Sequence, residues 1–204
     1  MADFTAQDIQ ALRKETGAGM MDAKRALTEA DGDAGRAKEI LREKGIAKVD
    51  KRSGREQGEG VVGVYMHNQA GRPVIGVLVG LASETDFVAK SDEFIQTAND
   101  IAMHAAAAKP FWVVREEVPA DVLDEEKRLI AAEARNEGKP DAIIEKIVDG
   151  RVNAFYKDNV LVDQVFVRSD RFEGTVGELV QGLAIKMGEN ISIASMARVE
   201  IGEG

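Results

Sequence analysis

The sequence predicts an α+β protein, in which a short helical module precedes a small antiparallel sheet packed by helices. Apolar residues recur at helical spacing through residues 5–45. Two runs rich in β-branched residues, VVGVYMHN and PVIGVLVGLA, are joined by QAGR, which is typical of a hairpin. Further helical patterns and one last strand pattern, ISIASMARVEI, follow. Antiparallel strands with helices segregated around them define the α+β class.

Three short helices are predicted first: from Thr5 to the turn TGAGM, from Met21 to Ala30, and from Asp33 to near Gly45. Thr5 can cap the first turn with its hydroxyl, and Asp8 lies favourably near the helix N-terminus. The glycines of TGAGM, residues 16–20, suit a tight turn between helices. A module of this size buries little surface, so we expect it to be marginally stable alone.

A polar segment separates this module from the rest of the chain. KRSGREQGEG, residues 51–60, has no apolar residue and is typical of a linker. We therefore divide the chain into a three-helix domain (1–52), a linker (53–59) and an α+β core domain (60–204). Helices of the core are predicted over residues 91–108, 119–138, 140–158 and 176–187.

The composition is that of a globular protein without disulfides. Hydrophobic residues make up 44% and charged residues 31% of the 204 positions, and there is no cysteine. Without cysteine there is no thiolate nucleophile and no zinc–sulfur site. No apolar run approaches the ~20 residues of a membrane helix, and the N-terminus lacks the features of a signal peptide. We therefore expect a cytoplasmic protein that does not enter a membrane.

The net charge of −9 is unevenly distributed. Residues 1–52 hold 11 Lys/Arg and 10 Asp/Glu, so the rest of the chain holds the remaining 16 and 26. A core that acidic repels phosphates at long range, and we expect no direct nucleic-acid partner. The basic stretch from Lys48 to Arg55 is short and indicates a solvated linker.

No motif supports a catalytic residue, a cofactor or a bound metal. Gly58, Gly60 and Gly63 match G-x-G-x-x-G, but they open a strand, whereas the dinucleotide motif follows a strand and opens a helix. His67 and His104 are far apart and adjoin no nucleophile motif. The alanine-rich helix around His104 favours a packing role. A paired-carboxylate site stays open, because nothing selects one pair among 36 acidic residues.

The segment Thr85-Asp86-Phe87-Val88 lies where a predicted strand ends and a helix begins. Phe87 has two interpretations. It is seven residues from Phe94, so one helical stripe could carry both rings into the core. Thr85 and Asp86 are cap-type residues, however, and a ring at a first helical turn beside charged residues has the features of an exposed interface anchor. We favour the exposed interpretation.

Two blocks of the sequence are distinctive: LRKETGAGMMDAKRAL (residues 12–27) and ETDFVAK (84–90). They resemble the two signatures of the bacterial elongation factor Ts family. IAMHAAAAKP, EGKPDAIIEKIVDGRVNAFY and GENISI are similar to further blocks in the same order, so the resemblance covers essentially the whole chain. In one departure, GLAS (residues 80–83) stands where many members have an acidic, an apolar, an Asn and a Cys residue.

The resemblance implies a guanine-nucleotide exchange factor for the GTPase elongation factor Tu, bound in its GDP and nucleotide-free forms. Members of the family catalyse no covalent change, so we expect no enzyme activity. The implied fold is a ubiquitin-associated-like three-helix domain joined to an α+β core. Thr85-Asp86-Phe87-Val88 would be the active motif, with Asp86 and Phe87 entering the GTPase domain of the partner and disturbing its magnesium site.

The resemblance also implies that the N-terminal module grips the GTPase domain elsewhere. The candidate contact residues there are Leu12, Arg13, Thr16, Gly17, Met20 and Met21. Compact members with a single core subdomain pair as homodimers. A homodimer of this chain would be noncovalent, because it has no cysteine.

Two alternatives come from other functional classes. A helical adaptor could bind small proteins through its N-terminal module, although its long core would then be unexplained. A small-molecule enzyme could use the acidic core. A pull-down that retains something other than a translation GTPase identifies the adaptor, and turnover without a protein partner identifies the enzyme.

Overall fold

Two hydrophobic clusters organise the chain in a computed structural model that describes residues 4–202. The outer ends of the predicted domains, residues 1–3 and 203–204, lie outside the described part. The described helices are α1 (Ala6–Thr16), α2 (Met20–Glu29), α3 (Ala34–Asp50), α4 (Asp86–Ala89), α5 (Asp92–Ala108), α6 (Ala120–Asn136), α7 (Asp141–Asn159) and α8 (Val176–Met187). The strands are β1 (Glu59–Gln69), β2 (Arg72–Ser83) and β3 (Ser192–Glu200). The predicted α+β class is confirmed.

The three N-terminal helices enclose the smaller cluster. Thr5 caps α1 as predicted, since its Oγ1 accepts from the Asp8 amide at 3.3 Å while Asp8 Oδ2 accepts from the Thr5 amide at 2.7 Å. Helix α1 ends at Gly17, whose φ of 69° lies in the left-handed region that favours glycine. The buried residues of this cluster are Leu12, Ala23, Ala26, Leu27, Ala30 and Ala37.

Helix α3 is longer than predicted. The expected end near Gly45 is wrong, because the helix continues to Asp50. A Cβ at Gly45 would lie 2.9 Å from two side-chain carbons of Ile185 in α8, so the glycine allows these helices to pack closely. Val49, one turn later, packs against the larger cluster. Gly45 is therefore a packing contact between the N-terminal helices and the core.

The predicted linker is hydrogen-bonded to the core. Asn190 Nδ2 donates to the carbonyl oxygens of Ser53 and Arg55 at 3.3 and 2.9 Å, and Ser192 Oγ donates to Gln57 Oε1 at 2.8 Å. These hydrogen bonds hold the segment against the core, although its composition alone indicates a solvated linker. The division into two domains stays a prediction, as does the ubiquitin-associated-like character of the first.

Among residues 4–202, the strands form one three-stranded antiparallel sheet in the order β1-β2-β3. The predicted hairpin is present, with Val64 in β1 opposite Leu78 in β2. Val77, Val79 and Leu81 alternate with exposed or half-buried positions along β2 and are buried in the larger cluster, together with residues of α5 and α8.

The opposite face of the sheet, here called the open sheet face, is exposed and apolar. Residues paired across strands share a face of the sheet. The register therefore places three rows there: Val62–Gly80–Ser195, Val64–Leu78–Ala197 and Met66–Gly76–Val199. None of these positions is charged in a chain that is 31% charged, so the face differs from an ordinary solvated surface.

Helix α5 approaches strand β1 very closely at Gly63. A Cβ there would lie 2.2 Å from the carbonyl carbon and oxygen of Ala98. Asn99 Oδ1 accepts from the Val64 amide at 2.9 Å, so α5 also satisfies a donor on the edge strand. The last glycine of the G-x-G-x-x-G match therefore serves helix–sheet packing, and the glycines open a strand as predicted.

His104 in α5 is fully buried and fixes the segment after α7. The Val167 amide donates to Nδ1 at 3.2 Å, so the ring proton is on Nε2, which donates to Gln164 Oε1 at 3.0 Å. Burial lowers the pKa of His104 below its ordinary value. The ring of Phe166 stacks on the imidazole with centroids 5.7 Å apart. The predicted packing role of His104 is confirmed.

Helices α6 and α7 form a helical hairpin with an aromatic group at its base. Trp112 and Phe155 have ring centroids 6.0 Å apart, and the Arg115 guanidinium lies 4.6 Å from the ring centroid of Tyr156. No helix within residues 4–202 is both long and apolar enough to cross a bilayer.

Replacing Gly63 by alanine tests the contact between α5 and β1. The added Cβ would overlap the Ala98 backbone, which cannot move aside by rotating a side chain. We expect Gly63→Ala to lower the free energy of unfolding by roughly 2–3 kcal/mol or more, measured by urea denaturation.

Gly182→Ala is the matched control, because a Cβ at this position in α8 meets no atom within 4 Å. Alanine should stabilise the helix there by up to ~1 kcal/mol. Equal unfolding free energies for the two variants would contradict the close packing of α5 on β1.

Candidate functional site

The corner between β2 and α5 contains α4, a single helical turn with a cap at each end. Thr85 is the N-cap, and its Oγ1 accepts from the Val88 amide at 3.4 Å. Ser91 Oγ donates to the Val88 carbonyl at 2.8 Å and accepts from the Phe94 amide at 3.4 Å, which starts α5. A four-residue helix is unstable alone, so these caps and the buried side chains of Val88 and Ala89 hold it.

Phe87 and Phe94 have opposite environments. The Phe87 residue is 84% exposed, whereas Phe94 is fully buried. Because Ser91 begins a new helix, the two rings do not share one helical stripe despite their seven-residue spacing. The predicted exposure of Phe87 is confirmed. A ring so exposed contributes little to packing, and its contact with a partner stays a prediction.

Glu189 binds the backbone and side chain at the start of this corner. Its Oε2 accepts from the amides of Glu84 and Thr85 at 3.0 and 3.1 Å. Its Oε1 accepts from Thr85 Oγ1 at 2.5 Å. Three donors from two adjacent residues therefore converge on one carboxylate, and hydrogen bonds to a charged acceptor are stronger than those to a neutral one.

Glu84 and Ser83 form further hydrogen bonds at the same corner. Glu84 Oε1 accepts from the Asn190 amide at 2.6 Å, and Arg55 Nη1 lies 3.3 Å from Glu84 Oε2. The hydrogen bond from the Asn190 backbone, supported by Arg55, lowers the pKa of Glu84 below its ordinary value. Ser83, the last residue of GLAS, is fully buried, and its Oγ donates to the Thr85 carbonyl at 3.2 Å.

Asp86 forms an exposed ion pair with Lys90. Lys90 Nζ lies 2.5 Å from Asp86 Oδ2. The hydrogen bond and charge of Lys90 lower the pKa of Asp86, and Asp86 raises the pKa of Lys90. Exposed pairs of this kind contribute little to stability, so Asp86 can exchange Lys90 for another partner at small cost.

The N-terminal candidate residues gather at the turn between α1 and α2. Met20 and Met21 are 45% and 63% exposed there. Thr16 Oγ1 donates to the Leu12 carbonyl at 2.7 Å and accepts from the Ala18 amide at 3.3 Å. These bonds define the turn that places the two methionines at the surface.

The other three candidates differ in their exposure. Arg13 on α1 and Gly17, the cap of that helix, are exposed, and the Arg13 carbonyl accepts from the Gly17 amide at 2.9 Å. Leu12 is only 2% exposed and belongs to the N-terminal cluster. The side chain of Leu12 therefore supports the turn from inside and offers almost no surface to a partner, which does not fit the direct contact predicted for it.

Lys186 in α8 joins the two candidate segments. A Cβ at Gly17 would lie 3.2 Å from Lys186 Cγ, so the lysine methylenes pack beneath the N-terminal turn. The Lys186 ammonium binds Glu93 Oε2 at 2.6 Å, in the first turn of α5 that directly follows α4. Helices α5 and α8 therefore support both the turn that carries Met20 and Met21, here called the methionine turn, and the corner that carries Phe87, here called the Phe87 corner.

The chemistry that this arrangement offers is that of a protein contact. Its exposed groups are an aromatic ring, a carboxylate and two methionines on fixed backbone, which is typical of interface anchors. Within the described residues, no group of three or more His, Asp or Glu side chains could hold a metal ion.

The sequence did not identify three residues that position the site: Glu189, Asn190 and Lys186. One signal was available for the first two, since Gly188 is a typical helix end and places the following residues in a turn. Nothing local indicated that this turn meets a corner more than 100 positions earlier in the chain.

Comparisons with known proteins agree on one family. The sequence model described as "Elongation factor TS" matches residues 7–203. A protein named elongation factor Ts from Fervidobacterium nodosum is 47% identical over 201 residues, which cover 98% of this chain and 100% of that protein. Those from Alkaliphilus oremlandii and Desulforamulus reducens are 50% and 48% identical, covering 99% and 100% of this chain and 91% and 92% of theirs.

Proposed function

This chain belongs to the elongation factor Ts family, and on that premise we propose that it is the cytoplasmic guanine-nucleotide exchange factor for elongation factor Tu in translation elongation. It would accelerate GDP release by binding energy alone, with no covalent bond made or broken. The observation that carries the proposal is Phe87, an 84% exposed ring on a corner that is capped at both ends.

Phe87 supplies energy to open the nucleotide site. A phenylalanine ring that moves from water into an apolar pocket gains on the order of 2 kcal/mol. This gain offsets part of the cost of shifting the partner's helices around its magnesium ion. Release accelerates only if the ring binds the opened state more tightly than the GDP-bound state. Because Thr85 and Ser91 fix the corner beforehand, little conformational entropy is lost on docking.

Asp86 acts beside the ring. On docking, its carboxylate would leave Lys90 and either accept hydrogen bonds from the partner or repel the phosphate that holds the metal. The exposure of the Asp86–Lys90 pair supports this change of partner for Asp86, because an exposed ion pair is replaced at small cost.

The N-terminal turn supplies affinity. Met20 and Met21 are exposed, adaptable apolar side chains, and Arg13 adds a charge on the preceding helix. Thr16 and Gly17 shape the turn, and Leu12 supports it from within the N-terminal cluster. The contact of α3 and α8 at Gly45 keeps this turn in a defined position relative to Phe87.

The open sheet face would pair two copies of the chain. Its three rows carry uncharged and mostly apolar residues, and two sheet faces of this kind can stack as a sandwich. A second copy presents the same surface, as a two-fold interface requires. The dimer would be noncovalent, because the chain has no cysteine.

Phe87→Ala separates the interface role from a packing role. We expect the melting temperature to stay within the range of ordinary surface variants, because the ring is exposed. Stimulated release of fluorescent GDP from elongation factor Tu should slow about tenfold, which corresponds to a loss of ~1.4 kcal/mol of differential binding.

Two other phenylalanines are matched controls. Phe111→Ala removes a ring that is also exposed, by 73%, but lies beyond the far end of α5, and exchange should be unchanged. Phe94→Ala should cost roughly 3–5 kcal/mol in stability, because that ring is buried. Normal exchange by Phe87→Ala, or an equal slowing by Phe111→Ala, would refute the role of Phe87.

A double change, Met20→Ala with Met21→Ala, tests whether the N-terminal turn contributes affinity for the partner and not the maximal rate of release. We expect the concentration for half-maximal release to rise about fivefold, which is roughly 1 kcal/mol, with the maximal rate nearly unchanged. Gln10→Ala, on the exposed surface of α1, should change neither value. A loss of maximal rate at unchanged half-maximal concentration would overturn the division.

Leu78→Glu places a charge at the centre of the open sheet face and tests the homodimer. Light scattering during gel filtration should give twice the chain mass of 22.1 kDa for the wild type and a single chain mass for the variant. Gln69→Glu, at the hairpin tip, adds the same charge and should leave the dimer intact. A monomeric wild type at all tested concentrations would contradict the pairing.

A further inference from the structure

We propose that Glu189 is a positioning residue for Phe87, and that it acts through Thr85. The inference rests on the proposed exchange function. The hydrogen bonds of Glu189 at this corner go to Glu84 and Thr85, the two residues directly before α4.

The hydroxyl group of Thr85 transmits the effect of Glu189. A threonine hydroxyl has one proton to donate and two lone pairs to accept with. The 2.5 Å bond to Glu189 Oε1 uses the proton, so the lone pairs are left to accept from the Val88 amide. Glu189 therefore orients the cap of α4 as well as binding its N-terminal backbone.

Glu189 is held in place by the residues on either side of it. Gly188 ends α8 with a φ of 76°, which turns the chain towards β2. Asn190, on the other side of Glu189, is buried, and its side chain donates to the carbonyl oxygens of Ser53 and Arg55. With a fixed residue on each side, the Glu189 backbone is anchored, and its carboxylate can restrain the corner.

Loss of the Glu189 carboxylate should lower the maximal rate of GDP release and leave the affinity for the partner nearly unchanged. Without the carboxylate, the amides of Glu84 and Thr85 lose the acceptor that they share, and the Thr85 hydroxyl loses the bond that orients it as the cap of α4. A helix of four residues is then held at its start by a weaker cap. The Phe87 ring would then sample many orientations, and docking would lose the conformational entropy of that sampling. The methionine turn is built by other bonds, so affinity should be nearly unchanged.

Glu189→Ala and Glu189→Gln test the proposal by two measurements on the full-length protein. Amide hydrogen exchange should accelerate at Glu84 and Thr85 in Glu189→Ala, with the protection of the core strands unchanged. Stimulated GDP release should show a maximal rate lowered about fivefold and a half-maximal concentration within about twofold of the wild type. Glu189→Gln keeps one oxygen acceptor and should fall between these values.

Three further variants make the test specific. Glu173→Ala removes an exposed carboxylate of equal charge and should leave both measurements unchanged. Thr85→Val should lower the maximal rate as Glu189→Ala does, and the double variant should be little worse than either, because residues that act as one unit are not additive.

Unchanged amide exchange at Glu84 and Thr85, an unchanged maximal rate, or faster amide exchange throughout the core would each overturn the role of Glu189. If Glu189→Ala does not fold, the same outcomes for Glu189→Gln decide the matter. A wild type that leaves GDP release unaltered would instead refute the exchange function, and the amide exchange comparison would still decide whether Glu189 holds the corner.

Discussion

Helix α5 lies so close to β1 that a Cβ at Gly63 would overlap the Ala98 backbone. The position of the candidate site follows from this contact. The start of α5 is fixed against the sheet by buried Phe94, so the residues just before it must turn sharply at the end of β2. That turn is α4, and its outward position is occupied by Phe87. The same helix carries Glu93, which binds the lysine beneath the N-terminal turn.

Helix α8 is the second support, and it joins parts that are distant in the sequence. Ile185 packs on Gly45 of α3, Lys186 packs on Gly17, and the turn after the helix brings Glu189 to the Phe87 corner. The groups proposed to meet a partner are exposed and contribute little to stability, whereas the groups that hold them are buried or hydrogen-bonded. Such a division lets an exchange factor present apolar side chains in water without depending on them to fold.

The sequence predicts this fold well where the signals are local. The cap at Thr5, the hairpin at QAGR and the exposure of Phe87 all depend on residues within a few positions of one another. The misplaced end of α3 had a distant cause, because Gly45 is required by a helix 140 positions later. Glu189 follows Gly188, a typical helix end, but nothing local distinguishes it among 36 acidic residues as a partner of the Phe87 corner, since its donors lie 104 and 105 positions away.

The central claim is that this chain opens the nucleotide site of a GTPase and does no chemistry of its own. The most direct measurement is stopped-flow release of fluorescent GDP from elongation factor Tu, titrated with the wild-type protein in the presence of magnesium. The release rate should rise with concentration to a plateau well above the spontaneous rate, and the protein should be recovered unchanged. A release rate that stays at the spontaneous value at every concentration would contradict the claim.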